Sequence, residues 1–319
     1  MGAASSRGAH TSSMFRYVIR RLLESVLLML GVLVLVFFLV RLTGDPVSLI
    51  VPMDAPTEQR EAFRELMGLN APLPVQFWEY MSRAVQGDFG NSLRRRGEAN
   101  LGIILERLPA TIQLALAALA FAVLVAVPLG LAGGMRPGSA VDRLARAVGL
   151  AGQTVPSFWL GMLLIVLFAV TLRWLPSFGR DGFASIILPA VALGFAGMGQ
   201  LVRLTRSAVL DVRRADYVRT AHAKGMRALR VSLLHVLPNV AIPIVSVLGV
   251  QFTYLLGGSV YIEVVFAWPG LGSLLENAIR DADFPLVQAI TIFISLFAIS
   301  IHLLTDLAYG LLDPRLRRA

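Results

Sequence analysis

The side chains able to bind phosphate, ligate a metal or attack a substrate are few in this sequence, and their spacing argues against each role. Lys224 is the only lysine. A phosphate-cradling loop needs Gly-Lys followed by Ser or Thr, because its lysine must reach the terminal phosphates. Lys224 is instead followed by Gly225, so any nucleotide chemistry must be carried by another polypeptide. The four histidines, His10, His222, His235 and His302, lack the close pairing of a helical zinc site, and no Asp/Glu cluster accompanies them. With no cysteine there is no disulfide, thiolate ligand or cysteine nucleophile. No Ser, His and acid arrangement occurs at short range, although distant residues can converge. We therefore assign no catalytic, cofactor-binding or metal-binding residue to this chain.

The composition says what surrounds these residues. The 319 residues are 56% hydrophobic and 15% charged, with mean hydropathy +0.71, which leaves too little polar surface to coat a water-soluble globule. Lipid must replace water around much of the chain. The net charge of +9 does not point to nucleic acid, because the arginines sit between apolar runs rather than in one stripe with interleaved aromatics. At about 20 apolar residues per crossing, the sequence predicts six transmembrane helices: 22–40, 110–133, 150–172, 186–210, 240–262 and 286–311. The first follows Arg16, Arg20 and Arg21 as a secretory signal would, but its apolar run is too long and no small-residue cleavage site follows, so it is expected to remain as an anchor. Loops on the side of the termini hold eighteen Lys and Arg residues against eleven on the other, which places both termini in the cytoplasm.

Residues 1–13 are small, polar and aperiodic and read as a disordered leader, with Met14 an alternative start. The outer region 41–107 is long enough for structure of its own. A helix starting at Thr57 would align Phe63, Leu66 and Met67, and a second would align Phe77, Met81 and Val85. Such helices cap the outer span ends or dock a soluble partner; the spacing fits both.

Charged groups at bilayer depth are suspects for function. Glu24, Arg203, Glu263 and Asp306 fall near expected span ends, where snorkelling or a local ion pair satisfies them. Gln113, Gln153, Gln200, Gln251 and Gln288 lie deeper. With Thr154, Ser157 and Thr253 they could line a hydrated path for a peptide backbone, or bond helix to helix. Gly194, Gly197 and Gly199, with Gly249, Gly257 and Gly258, allow close helix approach. Pro128, Pro156, Pro189 and Pro243 are expected to bend or start their helices.

The most informative stretch runs from Asp216 to Pro238. Ala221 and Ala223 favour a helix from Asp216, Gly225 suits its left-handed C-terminal residue, and Pro238 suits the start of the next helix. The result is a short helix across the membrane face. Its small side chains let another protein approach closely, and Arg219, Lys224 and Arg227 offer charge for steering. An ordinary basic inside loop is the bland alternative.

The Gly and Leu-Pro spacing resembles the inner-membrane permeases of ATP-binding-cassette importers, whose cytoplasmic signature is Glu-Ala-Ala, three residues, Gly, nine residues, then Ile-x-Leu-Pro. Ala221, Gly225, Leu237 and Pro238 match in register, while Arg219, Thr220 and His235 replace Glu, the first Ala and Ile. Tyr217 to Gly225 is similar to the dipeptide and oligopeptide branch. So are the segments 69–76, 87–90, 156–161, 268–272 and 312–315. The resemblance implies an all-α membrane fold of the type I importer permease, with 1–21 and 312–319 cytoplasmic, 22–40 the first span, 41–107 a periplasmic loop region, and 108–311 the transmembrane domain holding a coupling segment, 211–238. It implies docking to the ATPase through Asp216, Tyr217, Arg219, Thr220, Ala221, Lys224, Gly225 and Met226, so that bulky replacements of Gly225 or Ala221 should abolish transport. It further implies a second homologous permease subunit, two cytoplasmic ATP-binding subunits carrying ATP and Mg, and a periplasmic or extracellular substrate-binding protein. The expected location is the bacterial inner membrane, among its lipid. The expected cargo is dipeptides or oligopeptides, with nickel complexes and glutathione handled by close relatives. The rival reading is an ion-gradient-driven secondary transporter or channel, which should show central titratable residues or inverted repeats; neither is evident.

Overall fold

The computed structural model describes residues 5–42, 47, 55–66, 70–95 and 97–312, and nearly all of them are helical. The helices are α1 (Ser5–Leu42), α2 (Thr57–Leu66), α3 (Leu73–Val85), α4 (Asn100–Met135), α5 (Ala140–Thr154), α6 (Ser157–Leu164), α7 (Ala184–Val212), α8 (Asp216–Ala223), α9 (Ala228–Val231), α10 (Leu237–Val265), α11 (Leu271–Arg280) and α12 (Phe284–Leu312). Wider π-type turns extend α6 through Ile165–Thr171 and join α9 to α10 through Ser232–Val236. Among the described residues, five helices are long and apolar enough to cross a membrane, in α1, α4, α7, α10 and α12, and there are six if a bent pair of shorter helices counts as one span.

That bent pair corrects the third expected span. Residues 150–172 do not form one rod: α5 and the α6 segment meet at 106°. Pro156 has no N–H to give and pushes Val155 out of the helical region, to φ −88° and ψ 117°. Pro128, Pro189 and Pro243 sit inside continuous helices and break none of them. Helix α4 begins ten residues before the expected 110, passing through Pro109. Helix α1 begins at Ser5, so the leader expected to be disordered is helical from there; no proline stops the Met14–Arg21 helix from propagating backwards.

Two compact units partition the chain, residues 1–109 with 274–319, and residues 110–273. In the first, α1 packs on α12 through Leu33, Val36 and Ile292. Helix α3 adds Tyr80, Met81 and Ala84 to that cluster, and the Phe77 ring meets Phe37 edge-on at 5.2 Å. Val85, expected on the same face, is 80% exposed: the half-buried stripe continuing from Met81 reaches Ala84, one position earlier. Asp283 caps α12, accepting from Leu286 N, and also gathers the 92–94 turn through the Ser92 hydroxyl and the amides of Leu93 and Arg94. Expectations for residues 1–4, 67–69 and 313–319, and for the side chains of Phe63, Leu66 and Asp306, lie outside what is described.

In the second unit, α4, α5, α7, α8, the α9 segment and α10 share one apolar cluster. Glycines set its tightest crossing. A Cβ on Gly152 of α5 would stand 2.7 Å from the Gly199 Cα of α7, and one on Gly194 would stand 2.4 Å from Ala118 O of α4. Gly194 and Gly199 thus fill the expected close-packing role. Gly257, with open space around it, and Gly258, in ordinary contact with Leu193, do not.

Candidate functional site

The segment expected to couple, 211–238, folds as its local sequence dictates. Asp216, with its carboxylate in the first turn, opens α8. At the other end Gly225 adopts φ +75°, its amide donates to His222 O (2.9 Å), and the Met226 amide reaches back to Ala221 O (3.3 Å). These two bonds make a Schellman cap, whose usual apolar contact is supplied by Met226 and Ala221 in the common cluster.

Amphipathic periodicity then divides α8. Val218 and Ala221 are 1% and 4% exposed and belong to the same cluster as Ala122 and Ala126 of α4, Met198 and Val209 of α7, and Val240 of α10. Asp216, Tyr217, Arg219, Thr220, His222, Lys224 and Gly225 are exposed. Of the eight residues expected to dock a partner, six therefore lie outward. Ala221 and Met226 face the chain's own core. The small Ala221 side chain brings α8 close to its own spans, not to a partner. Pro238 stands in the first turn of α10, as expected, where its missing N–H costs nothing; what the sequence did not show is the short α9 segment and the widened Ser232–Val236 turn that lead into it.

Of the five glutamines, three meet. Gln153, Gln200 and Gln251 line a cavity of about 500 Å3 with Gly152, Gly197 and Tyr254. The Gln251 amide nitrogen donates to Gln200 Oε1 (3.0 Å) and leans on Gly197, where a Cβ would stand 2.9 Å from Gln251 Oε1. Gln113 does not join them. Its Oε1 accepts both Nε and Nη2 of Arg180, at 2.9 and 2.7 Å. Gln288 belongs to α12, its Nε2 buried without a hydrogen-bond partner.

Glu24 pairs with Arg20 (2.9 Å) and Arg21 (3.5 Å), as expected near a span end. Glu263 does not behave that way. It is fully buried, and no ion pair is described for it. Its Oε1 accepts from the hydroxyls of Thr111 (2.8 Å) and Ser259 (3.1 Å), and its Oε2 from the amides of Gly272 (2.6 Å) and Ser273 (3.1 Å), at the N-terminus of α11. Such amides point their partial positive charge at the carboxyl. Thr111 Oγ1 in turn accepts from Leu271 N, and Trp268 Nε1 donates to Ala110 O, both at 2.8 Å. Gly270 must lack a side chain, since a Cβ there would stand 2.4 Å from Glu263 Cδ. This knot went unassigned in the sequence; its visible trace is the acid ending an apolar span just before Trp268-Pro269-Gly270-Leu271-Gly272.

Known proteins match both parts of the chain. An inward-facing structure of the MetNI methionine ABC transporter aligns with 65% of this chain and 97% of its own, at 18% identity and a TM-score of 0.49. The glutathione transport system permease protein GsiC of Salmonella paratyphi A is 41% identical over 305 residues, covering 95% of this chain and 99% of its own. Its namesake in Escherichia coli (strain K12) is 42% identical over 306 residues, with the same coverage. Residues 14–115 match the N-terminal family of binding-protein-dependent transport system membrane components, and residues 118–318 match the binding-protein-dependent transport system inner membrane component. Such proteins are transport subunits rather than enzymes, working with substrate-binding components and with separate subunits that hydrolyse ATP. The chain belongs to this family, as a multi-pass ABC importer permease of the bacterial inner membrane.

Proposed function

We propose that this chain forms half of the path of an importer for short peptides, glutathione among them, and that α8 is where the ATPase subunits push. A second homologous permease completes the path, two ATPase subunits supply ATP and Mg, and the termini lie on the same cytoplasmic side as α8. The observation that carries this reading is the division of α8: a polar outer face free to meet a partner, and an inner face sharing one apolar cluster with α4, α5, α7 and α10. A push on the outer face is thereby delivered to the spans, and interactions that differ between two arrangements of those spans are what alternating access requires. The glutamine cavity offers amide donors and acceptors suited to a peptide backbone. Support for the cargo is the name of the relatives, glutathione transport, together with the peptide-branch motif from Tyr217 to Gly225.

The test is uptake by the complete transporter in liposomes. Gly225→Val places a β-branched residue at φ +75° and undoes the cap. Uptake of glutathione and of trialanine is expected to be lost, while ligand capture by the isolated binding protein is unchanged. Normal uptake in that variant would remove α8 from the mechanism.

A further inference from the structure

One pocket outside these sites gathers charge. Arg146 and Leu150 of α5 and Arg203 and Arg206 of α7 line a space of about 340 Å3. Basic residues at the inner ends of spans are ordinary, as orientation alone requires them. Two features set this group apart. First, it is built: Gly149 leaves room for the Arg203 stem, since a Cβ there would stand 2.8 Å from Arg203 Cγ. Buried Asp142 holds Arg206 by a two-point fork (Nε–Oδ1 2.5 Å, Nη2–Oδ2 3.3 Å), reaches Arg146 at 3.5 Å, and is itself fixed by the Gly138 amide at 2.9 Å. That leaves three guanidinium groups facing one carboxylate, and among the described ion pairs Arg203 has no acidic partner.

Second, the pocket lies along the same two helices as the glutamine cavity, α5 and α7. Gln153 and Arg146 are seven residues apart on α5, hence on one face and about 10 Å apart along the axis. On α7, Gln200, Arg203 and Arg206 follow at intervals of three, in the direction of α8. A substrate leaving the neutral cavity toward α8 meets the arginines next. A guanidinium fork matches a carboxylate at two points, which an amide cannot imitate.

We propose that Arg146, Arg203 and Arg206 form an oxyanion station that selects substrates bearing a carboxylate as they leave the glutamine cavity. This rests on the reading of that cavity as the path. A lipid phosphate offers similar chemistry, and the experiment separates the two sources.

The chain has no cysteine, so Gln153→Cys supplies a single labelling position on this subunit. In the complete transporter, Arg203→Gln is expected to lower the rate of the anionic sulfonatoethyl methanethiosulfonate relative to the cationic trimethylammonioethyl reagent about tenfold, as loss of one nearby charge acts oppositely on the two. Arg230→Gln, at an exposed cation elsewhere, should leave the ratio alone. Uptake of trialanine should fall about tenfold in Arg203→Gln, and uptake of trialanine amide should not; comparing each variant with wild type for the same peptide cancels unequal capture by the binding protein. An unchanged reagent ratio, or equal loss for acid and amide, overturns the station. A loss seen only in membranes containing phosphatidylglycerol, and absent in phosphatidylcholine alone, assigns the arginines to lipid and overturns it too. If labelling of Gln153→Cys leaves uptake of both peptides at wild-type rates, the cavity is not the path, and the failure lies in the reading beneath the proposal.

Discussion

Helix α8 and the Glu263 knot are held in place by opposite means. Val218 and Ala221 seat α8 by apolar contact, and the side-chain hydrogen bonds described for it, Arg219 to Asp216 and Thr220 to Asp216 O, stay within α8. Around Glu263 the ties described are directional: four donors converge on one carboxyl, and Leu271 N to Thr111 Oγ1 and Trp268 Nε1 to Ala110 O add two more. Apolar contact has no preferred angle and survives sliding, whereas a buried hydrogen-bond network loses heavily on small displacements. On the proposed mechanism, α8 is the part expected to move and the α10–α11 turn, within the same unit, the part expected to stay. The following substitutions attack each half of that comparison.

The largest loss of stability is expected from Glu263→Ala. It strands the buried Thr111 hydroxyl and Gly272 amide and the half-buried Ser273 amide, and at about 1–3 kcal/mol for each unsatisfied buried group the total should reach roughly 3 kcal/mol or more. A melting curve of the purified protein should show a drop of many degrees. If Glu263→Ala melts like wild type, the knot is not an anchor and the comparison fails on that side.

Ala221→Trp comes next. It forces a large ring beneath α8, where overpacking costs about 1–3 kcal/mol, but the helix can relieve part of this by tilting outward. Melting should change less than in Glu263→Ala, while substrate-stimulated ATP hydrolysis by the assembled transporter is lost and basal hydrolysis remains. Normal stimulation would mean that the inner face of α8 does not set the contact. Trp268→Phe should follow on stability, at roughly 1–2 kcal/mol for the abandoned Ala110 carbonyl, with ATPase stimulation intact. A variant that melts normally but uncouples would move the knot from anchor to moving part.

How far each region was legible follows from the range of its contacts. The cap of α8 is written within ten residues, so Asp216, Ala221 and Gly225 disclosed a helix and its stop. Which face turned inward was not legible, because Val218 and Ala221 are buried by residues such as Ala122 and Met198, far away in the chain. The knot depends on Thr111, 152 residues before Glu263, and no local pattern links the two. Five apolar spans stood out by length alone, and Pro156 was expected to bend or start a helix, as it does; the size of that bend, 106°, was hidden because the run around it is long enough to cross as one rod. The glutamines were chosen by depth. Depth does not reveal direction, and Gln113 was claimed by Arg180 while Gln153, Gln200 and Gln251 met.

The smallest expected effect tests the outer face of α8. The Arg219 side chain is 77% exposed, and its contact with Asp216, which is 96% exposed, measures 3.5 Å. An ion pair of that kind contributes about 0–1 kcal/mol at most, so Arg219→Ala should leave the melting temperature unchanged. What the charge offers is attraction at a distance. If α8 is the docking face, association of the ATPase subunits with the purified permease should slow about two- to threefold in low salt, because losing a rim charge acts on the encounter rate. The difference should fade toward roughly 1 M salt, where the screening length falls to about 3 Å. A variant that binds at the wild-type rate in low salt would return Arg219 to the ordinary population of inside arginines and leave docking to Tyr217, Thr220 and Lys224. A deficit that persists in high salt would mean that Arg219 makes a buried contact with the partner, and α8 would then be gripped directionally on its outer face, as Glu263 is within the fold.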